Sequence, residues 1–295
     1  MGLKITKSSD PIKVDRLTIC LYGQPGVGKT SLAYTSDSPL LLDFDGGAYR
    51  AANRRDTVQV HRWADVTEIT ADDLAPYKTV IVDTAGRALD QLGADIIRRN
   101  AKMGRGGALT LQGYGALKAE FIAWLKLVNS FGKDVILIAH MDEQRNGDEV
   151  LERLDVQGGS KNEIYKAADA MGRIFIRGNK RELDFTPREN SFGKNPGQLD
   201  VLTVPVDDAG FMAGVVGQIK ERLNALTEEQ REAQAVIESW RERIETMADV
   251  DAFNAALGDV RQAPKVCQAM FSQAAKGHGF EFDKAVGAYA MPVGA

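Results

Sequence analysis

Between residues 16 and 206 the chain alternates short apolar runs with stretches whose apolar residues recur at helical spacing. Apolar runs of this length, bounded by glycine, proline or aspartate, are typical of strands buried in a sheet. The segments that predict strands are residues 16–23, 39–45, 79–83, 134–140, 172–178 and 199–206. Strands that alternate with helices favour an α/β domain with a largely parallel sheet.

The pattern changes after Pro205. Residues 227–247 contain no strand-like run and begin with a Thr227–Gln230 capping box, so they predict a helix. Residues 264–277 predict a second helix, with proline at its start and glycine at its end. We therefore predict two domains, a core over residues 1–204 and a small helical region over residues 205–295.

Composition adds few restrictions. The 295 residues are 44% hydrophobic and 26% charged, as in an ordinary globular protein, and two cysteines suggest neither a disulfide framework nor a zinc site. No apolar run reaches the roughly 18 residues of a membrane helix, and the first residues lack the apolar core of a signal peptide. We expect a cytoplasmic protein without a membrane partner. The net charge of −4 neither requires nor excludes a polyanionic partner.

The sequence GQPGVGKT matches the phosphate-loop pattern G-x-x-x-x-G-K-[ST] between a predicted strand and a predicted helix. In such a loop the backbone N–H groups bind phosphates, the lysine neutralises the terminal phosphates, and the hydroxyl binds Mg²⁺. The predicted nucleotide-binding residues are Gly23, Gln24, Pro25, Gly26, Val27, Gly28, Lys29, Thr30 and Ser31. We expect the protein to bind a nucleoside triphosphate.

The stretch TVIVDTAGR, residues 79–87, fits two classes of nucleoside triphosphatase. Asp83 ends an apolar strand, as does the aspartate that holds the Mg²⁺ water shell in an ATPase. The sequence DTAGR, however, also occurs as the switch motif of signal-recognition-type GTPases. Such GTPases read guanine with N-K-x-D, and the nearest segment here, residues 178–184, has Glu182 at the fourth position. The residues DGGAYRAA, 45–52, nevertheless keep a signal-recognition-like GTPase open as an alternative.

Four motifs in the order LYGQPGVGKTSLA, PLLLDFDGG, TVIVDTAGRALD and DVILIAHMDEQ make residues 2–204 resemble the RecA superfamily, and within it the phage-encoded RecA-like ATPases of single-strand annealing and recombination. The resemblance implies a RecA-like P-loop NTPase core with ATP and Mg²⁺ as ligands. Thr30 and Asp83 would then be the metal-binding residues. The same comparison argues against an AAA+ ATPase, since that class has glutamate directly after the magnesium aspartate and this chain has Thr84.

The resemblance also implies catalytic roles for residues besides Lys29. Asp45 falls where RecA-type proteins have the glutamate that polarises the attacking water, and this shorter acid puts the rate of hydrolysis in question. His140 ends the fourth predicted strand, at the position that senses the terminal phosphate. Lys194, with Arg188 as the second choice, is predicted to reach the ATP of a neighbouring subunit.

Residues 96–119 contain no acidic side chain and several glycines, and they occupy the position of the first DNA-facing loop of RecA-like proteins. The predicted DNA-binding residues are Arg98, Arg99, Lys102, Arg105 and Tyr114, together with Lys161 from a second loop. We expect a slow, DNA-stimulated ATPase of phage-type recombination or annealing. Its expected partners are single-stranded DNA, a single-strand-binding protein and further copies of the chain in a ring or filament. A non-catalytic assembly module that holds ATP as a structural ligand remains a further alternative.

Overall fold

The apolar runs form buried strands, and the segments between them form helices. A computed structural model describes residues 12–146, 149–156 and 160–291. The strands are β1 (Thr18–Gly23), β2 (Pro39–Asp43), β3 (Thr57–Gln59), β4 (Thr79–Asp83), β5 (Gly104–Arg105), β6 (Ala108–Leu109), β7 (Asp134–Asn146), β8 (Glu149–Leu154), β9 (Ala170–Arg177), β10 (Lys180–Asp184), β11 (Leu202–Thr203), β12 (Glu281–Asp283) and β13 (Ala288–Ala290). The helices are α1 (Lys29–Ala33), α2 (Ala64–Thr67), α3 (Ala85–Arg99), α4 (Leu111–Ser130), α5 (Ser160–Ala167), α6 (Phe211–Glu245), α7 (Val250–Ala255), α8 (Leu257–Gln262) and α9 (Lys265–Gly277).

The central sheet has nine strands in the order β11-β10-β9-β1-β7-β4-β2-β3, with β8 paired to β7. The six strands from β9 to β3 are parallel to their neighbours, whereas β8, β10 and β11 pair antiparallel. The predicted α/β fold with a mostly parallel sheet is confirmed. Because parallel strands end at one edge, the carboxyl ends of β1, β2, β4 and the sheet portion of β7 meet there.

The sheet is covered on both faces. In β1 the side chains of Cys20 and Tyr22 belong to one hydrophobic cluster and those of Ile19 and Leu21 to another, as the alternation of a strand requires. The first cluster continues into α3 and α4, and the second into α1 and the start of α6. The full burial of β1 fixes the strand that leads into the phosphate loop.

The chain divides into two compact units between Leu223 and Asn224, inside α6, rather than at the predicted boundary after residue 204. The reason is that the first turns of α6 are apolar and buried in the second cluster, through Met212, Val215 and Ile219. The unit that contains the central sheet therefore includes part of a helix that the sequence pattern assigned to the C-terminal region.

The C-terminal unit is not wholly helical, contrary to prediction, because β12 and β13 form an antiparallel hairpin after α9. Its core is a cluster of aromatic side chains around Phe253, which lies 5.0 Å from Phe271 and 5.6 Å from Phe280 between ring centroids. Within the described ranges, no helix is both long enough and apolar enough to cross a membrane.

Candidate nucleotide-binding site

The phosphate loop connects the buried strand β1 to α1. Gly28 directly precedes α1 and has φ = +94°, a left-handed conformation that a side chain would strain. A cavity of about 500 Å³ lies beside the loop. It is lined by Pro25, Gly26, Gly28, Lys29, Thr30, Ser31, Asp45, Gly47, Arg50, Ala51, Asp83 and His140. The carboxyl edge of the sheet thus brings the predicted phosphate-loop and acidic residues together.

The Lys29 ammonium is buried and turned back onto its own loop. It donates to the carbonyl oxygens of Gly23 at 2.9 Å and Gln24 at 2.8 Å, and lies 3.3 Å from Nδ1 of His140. Burial lowers its pKa to about 8, against the raising effect of Asp83 and Asp45, so Lys29 stays protonated at pH 7. Its N–H groups can exchange these carbonyl acceptors for phosphate oxygens. Val27, in contrast, is buried in the core beneath the loop.

Thr30 and Asp83 form the pair predicted to hold Mg²⁺. The Thr30 hydroxyl donates to Oδ2 of Asp83 at 2.6 Å. Burial raises the pKa of Asp83 to about 6, reinforced by Asp43 and Asp45 and opposed by Thr30 and Lys29. A carboxylate that is costly to ionise gains most from a bound cation, and oxygen donors suit Mg²⁺. No cluster of three or more His, Cys, Asp or Glu in the described part of the chain could hold a metal alone. The pair therefore fits a Mg²⁺ that phosphates also bind.

Asp43 is a buried residue beside this site for which no role was predicted from the sequence. Its carboxylate accepts from the backbone N–H groups of Gly47 at 3.1 Å and Ala48 at 3.0 Å, and is buried beside Asp83 in the strand register. These bonds close the turn that contains Asp45. The signal was present in the same D-x-D motif, whose first acid precedes two glycines.

Asp45 lies at the cavity between two arginines. Arg50 Nη2 is 3.6 Å from Oδ2, and Arg87 Nε is 3.5 Å from Oδ1. Arg87 belongs to the TAGR segment, which starts α3 as predicted, with Thr84 accepting from the Arg87 N–H at the cap. The segment thus also supplies a cation beside the proposed base, a role that its sequence did not reveal.

His140 is brought to the phosphate loop by strand register, because β7 pairs with β1 so that His140 is opposite Gly23. Burial, followed by the Lys29 charge, lowers the pKa of His140, so its imidazole is neutral at pH 7. Lys29 has only donors, so the nitrogen that faces it, Nδ1, is the unprotonated one. Nε2 then has the hydrogen and can donate to a phosphate.

Arg181 also contacts the phosphate loop. Its guanidinium lies against Gly28, where a Cβ would be 2.5 Å from Nη1. Among the described residues it has no carboxylate partner, so the charge is available to an anion. No role was predicted for Arg181, because the β9–β10 pairing that brings it near the loop is not evident from the sequence.

The structure does not support the role predicted for Lys194. Its ammonium donates to the carbonyl oxygens of Tyr165 and Ala168, at the C-terminal end of α5. Cations stabilise a helix C-terminus by satisfying its last carbonyls. Arg188, the second choice, is bound to Asp184 at 2.6 Å. Both cations are therefore occupied within their own chain.

The basic segment at residues 96–119 is more structured and less positive than predicted. It contains the end of α3, the β5–β6 hairpin and the start of α4. Arg98 and Arg99 form ion pairs with Asp95, and Arg99 also pairs with Glu120. Those acids are the residues immediately outside the acid-free window, so the window concealed the partners.

The other predicted DNA-binding residues have different environments. Tyr114 lies in α4 and packs against the core, which removes most of its ring from solvent. Lys102, in the 3-10 turn before the hairpin, and Arg105, in β5, are exposed and form no ion pair in the part that the structure describes. The Lys161 side chain lies outside the described residues.

The segment considered for guanine recognition is the turn of the β9–β10 hairpin. Glu182 is in β10, and its carboxylate lies 3.4 Å from Arg177 Nε. A paired carboxylate within a strand is not presented to two guanine N–H groups, so the segment is structural.

A comparison with solved structures finds similarity to a chain described as a prototypical ATPase from the type III secretion system of pathogenic bacteria. The identity is 10%, the match covers 54% of this chain and 51% of that chain, and the TM-score is 0.37. This chain spans about half the length of that ATPase, and the likeness carries no conclusion about its activity. No curated protein sequence matches the chain.

A family model described as an AAA domain matches residues 15–196, which include the phosphate loop, the Mg²⁺ pair and His140. The expectation that the chain lies outside the AAA class is wrong at the level of the family. Asp83 is nevertheless followed by Thr84 and not by a glutamate, so Asp45 remains the candidate for the general base. With more than half of its length matched, the chain belongs to the AAA domain family of P-loop ATPases.

Proposed function

We propose that this chain is a Mg²⁺-dependent ATPase that binds single-stranded DNA and acts in phage-type recombination or annealing, in the cytoplasm of a host bacterium. The observation that carries the ATPase part is the convergence of Lys29, Thr30 and Asp83 on one cavity. An ammonium, a hydroxyl and a carboxylate in this arrangement match the needs of a triphosphate and its metal. The DNA part rests on the sequence resemblance and on one exposed basic hairpin.

The proposed chemistry follows from the contacts of each residue. Lys29 exchanges the Gly23 and Gln24 carbonyls for phosphate oxygens, and the loop N–H groups bind the same phosphates. Thr30 and Asp83 would hold a Mg²⁺, which would supply positive charge against the negative charge of the phosphates. Asp45 orients the attacking water, and the Nε2 hydrogen of His140 donates to the γ-phosphate. The phosphates thereby enter a site whose donors are already positioned by the backbone.

The test is ATP hydrolysis by Lys29→Ala in full-length protein. Loss of the buried ammonium removes the main charge on the terminal phosphates, so we expect turnover to fall by about 100-fold or more. Lys78→Ala is the matched control, because Lys78 is an exposed lysine paired with Asp37 outside the cavity. Full turnover in Lys29→Ala would remove the site assignment.

Two rival activities are separable by binding and single-turnover measurements. The paired state of Glu182 supports ATP over GTP, so ATP should displace a fluorescent ATP analogue more strongly than GTP does. The non-catalytic alternative predicts no phosphate release in a single turnover, with or without Asp45→Asn. The ATPase proposal predicts release that Asp45→Asn slows at unchanged ATP affinity.

The β5–β6 hairpin supports the DNA part of the proposal. Lys102, just before β5, and Arg105, in β5, are exposed, and each can contact a phosphate without breaking an ion pair. Arg98 and Arg99 are held by acids and would have to exchange partners. The proposed DNA contact therefore narrows from the whole basic segment to the hairpin.

The test compares two double variants in binding to a single-stranded oligonucleotide at several salt concentrations. Lys102→Ala/Arg105→Ala should reduce the slope of log affinity against log salt by about 1 to 2. The control Arg98→Ala/Arg99→Ala removes the same charge and should change the slope less. Equal slopes in all three proteins would contradict a DNA contact at the hairpin.

Self-association in a ring or filament, and contact with a single-strand-binding protein, are the remaining parts of this proposal. They are supported by the RecA resemblance. Light scattering with and without Mg²⁺-ATP measures the first, and a particle mass that stays that of one chain under both conditions would contradict it.

A further inference from the structure

A groove in the C-terminal unit shares no lining residue with the nucleotide-binding cavity. It has a volume of about 830 Å³ and lies among α8, α9 and the β12–β13 hairpin. We name it the α8–α9 groove. Its size falls within the range of cavities that bind small ligands or peptide side chains.

The inner wall of the groove is apolar and rigid. Val260, Phe271, Phe280 and Tyr289 line it, and all four belong to the buried core of this unit. Phe282 forms an outer wall, with 41% of the residue exposed and its ring 5.1 Å from that of Tyr289. An apolar side chain of a partner would therefore meet aromatic surface already held by core packing.

Two cations lie at the same groove, Arg261 from α8 and Lys276 from α9. Within the described part of this unit, the ion pairs use Arg231, Arg241 and Arg243 instead. The one acidic residue that lines the groove is Glu281, so its lining is net positive. Residues 224–295 as a whole have seven basic and eleven acidic side chains, so this groove is positive within an acidic unit.

We propose that the α8–α9 groove binds the C-terminal end of a partner protein, in which an apolar or aromatic last residue lies next to a free carboxylate. The apolar wall takes the side chain, and Arg261 and Lys276 bind the carboxylate in charge-assisted hydrogen bonds. Such a ligand needs apolar surface and a few positive charges in one place, which is the combination that the groove offers.

A single strand of nucleic acid fits these observations less well. It carries one charge per nucleotide and would continue past the two cations over an acidic unit, which would repel it. A chain terminus ends at the groove and concentrates its charge there. The negative charge of the surrounding unit thus favours a chain terminus over nucleic acid, although aromatic and cationic side chains could bind either.

The experiment titrates full-length protein into fluorescein-labelled short peptides without charged side chains that end in Phe, Leu or Trp with a free carboxylate. We expect at least one to bind with a dissociation constant of about 100 μM or tighter. Amidation of its C-terminus, or alanine as its last residue, should weaken binding by about tenfold. No binding of any peptide at about 1 mM overturns the proposal.

Matched protein variants locate the site. Arg261→Glu/Lys276→Glu should weaken peptide binding by about tenfold or more, while Lys265→Glu/Lys284→Glu, with the same charge change outside the groove lining, should weaken it by about threefold or less. Phe282→Ala should also weaken it. If the acidic variant unfolds at a lower temperature, Arg261→Gln/Lys276→Gln replaces it.

Two outcomes contradict the groove directly. Equal losses in the two charge-reversal variants would mean that only the overall charge matters. Displacement of the peptide by oligothymidylate, with oligothymidylate binding weakened by the Arg261/Lys276 pair alone, would assign the groove to nucleic acid. Neither outcome affects Lys29-dependent ATP hydrolysis. The groove and the proposed function are therefore tested independently.

Discussion

At the scale of single residues, the site combines charges that the fold itself disfavours. Asp83 is buried beside two other carboxylates, and its pKa is raised to about 6. Lys29 is buried with its pKa lowered to about 8. Both groups reduce the stability of the protein at pH 7 relative to neutral isosteres, because burial favours their uncharged forms. Retaining them is understandable only if they bind something charged.

Asp83→Asn should therefore stabilise the protein while preventing catalysis. The amide keeps an acceptor for Thr30 and removes the buried charge, so we expect the free energy of unfolding at pH 7 to rise by about 1 to 3 kcal/mol. The wild-type penalty is complete above the folded pKa of about 6 and disappears as pH falls towards the unfolded value of 3.8. Denaturant unfolding at pH 7 and near pH 4 measures the difference, and ATP hydrolysis measures the loss.

An unchanged unfolding free energy at pH 7 would show that Asp83 is better solvated than its 5% exposure implies. Asp37→Asn is a suitable control, since Asp37 is exposed, paired with Lys78, and has a pKa below its usual range. That control should lose stability slightly rather than gain it.

At the scale of elements, the basic residues around β10 divide into two functions. Arg181 reaches Gly28 in the phosphate loop, whereas Lys194 caps the C-terminal end of α5. One is placed to act on phosphates and the other to hold a helix. The sequence offers no distinction between them, since both are cations near turn-rich segments.

Arg181→Ala and Lys194→Ala should accordingly affect different properties, ATP turnover in the first case and stability in the second. Arg181→Ala should lower ATP turnover by about tenfold or more with little change in stability, because it removes a cation beside the phosphates. Lys194→Ala should leave turnover per folded molecule unchanged and lower stability by about 1 to 2 kcal/mol, because buried carbonyls lose their donor. ATPase assays and denaturant unfolding of both variants check this. Loss of turnover in Lys194→Ala alone would restore the role first predicted for it.

The elements that could be predicted from the sequence are those whose pattern is set by burial on both faces. The run TVIVD predicted β4 correctly because all five of its residues are buried. By contrast β10 was missed, since KRELD has four charged residues and a single apolar one and lies near the edge of the sheet. Strands near the edge of a sheet lack the continuous apolar run that identifies central strands in a sequence.

The start of α4 shows why glycine misled the prediction. Thr110 accepts from the Gly113 N–H and caps the helix at Leu111, within the glycine-containing segment 96–119 for which we predicted a loop. A Cβ at Gly113 would collide with the Met103 carbonyl and Leu109, so this glycine permits close packing rather than loop mobility. Sequence alone does not separate these two uses.

The site was predictable where chain order sets its geometry. The phosphate loop and Asp83 come from local motifs, and His140 from its position at the end of a strand. Asp43, Arg50, Arg87 and Arg181 were missed because their roles depend on contacts across strands and loops. The same holds for the neutralisation of Arg99 by Glu120 in the next helix.

At the scale of the whole molecule, the division inside α6 determines which fragment can fold alone. The unit Val14–Leu223 keeps the apolar residues of α6 that cover one face of the sheet. A fragment that ends at residue 204 would leave that face exposed to water. Large exposed apolar faces cause aggregation.

We expect the fragment of residues 14–223 to be monodisperse and to gain thermal stability from Mg²⁺-ATP, as mass action requires of a ligand that binds only the folded state. The fragment of residues 14–204 should aggregate or unfold at a much lower temperature. Size-exclusion chromatography and thermal unfolding with and without Mg²⁺-ATP test both. Equal behaviour of the two fragments would place the boundary where the sequence pattern had it.

Strand β7 is longer than the sheet that contains it. His140 is its last residue paired with β1, and from Met141 onward the strand pairs with β8 in a separate ribbon. Glu143, on that ribbon, accepts from the Gln24 amide of the phosphate loop at 2.8 Å. Strand β7 therefore contains both His140, which contacts Lys29, and Glu143, which holds Gln24. We expect a fluorophore attached to the ribbon to respond to Mg²⁺-ATP, because phosphates would replace present contacts of the phosphate loop; a signal that Mg²⁺-ATP leaves unchanged would contradict this coupling.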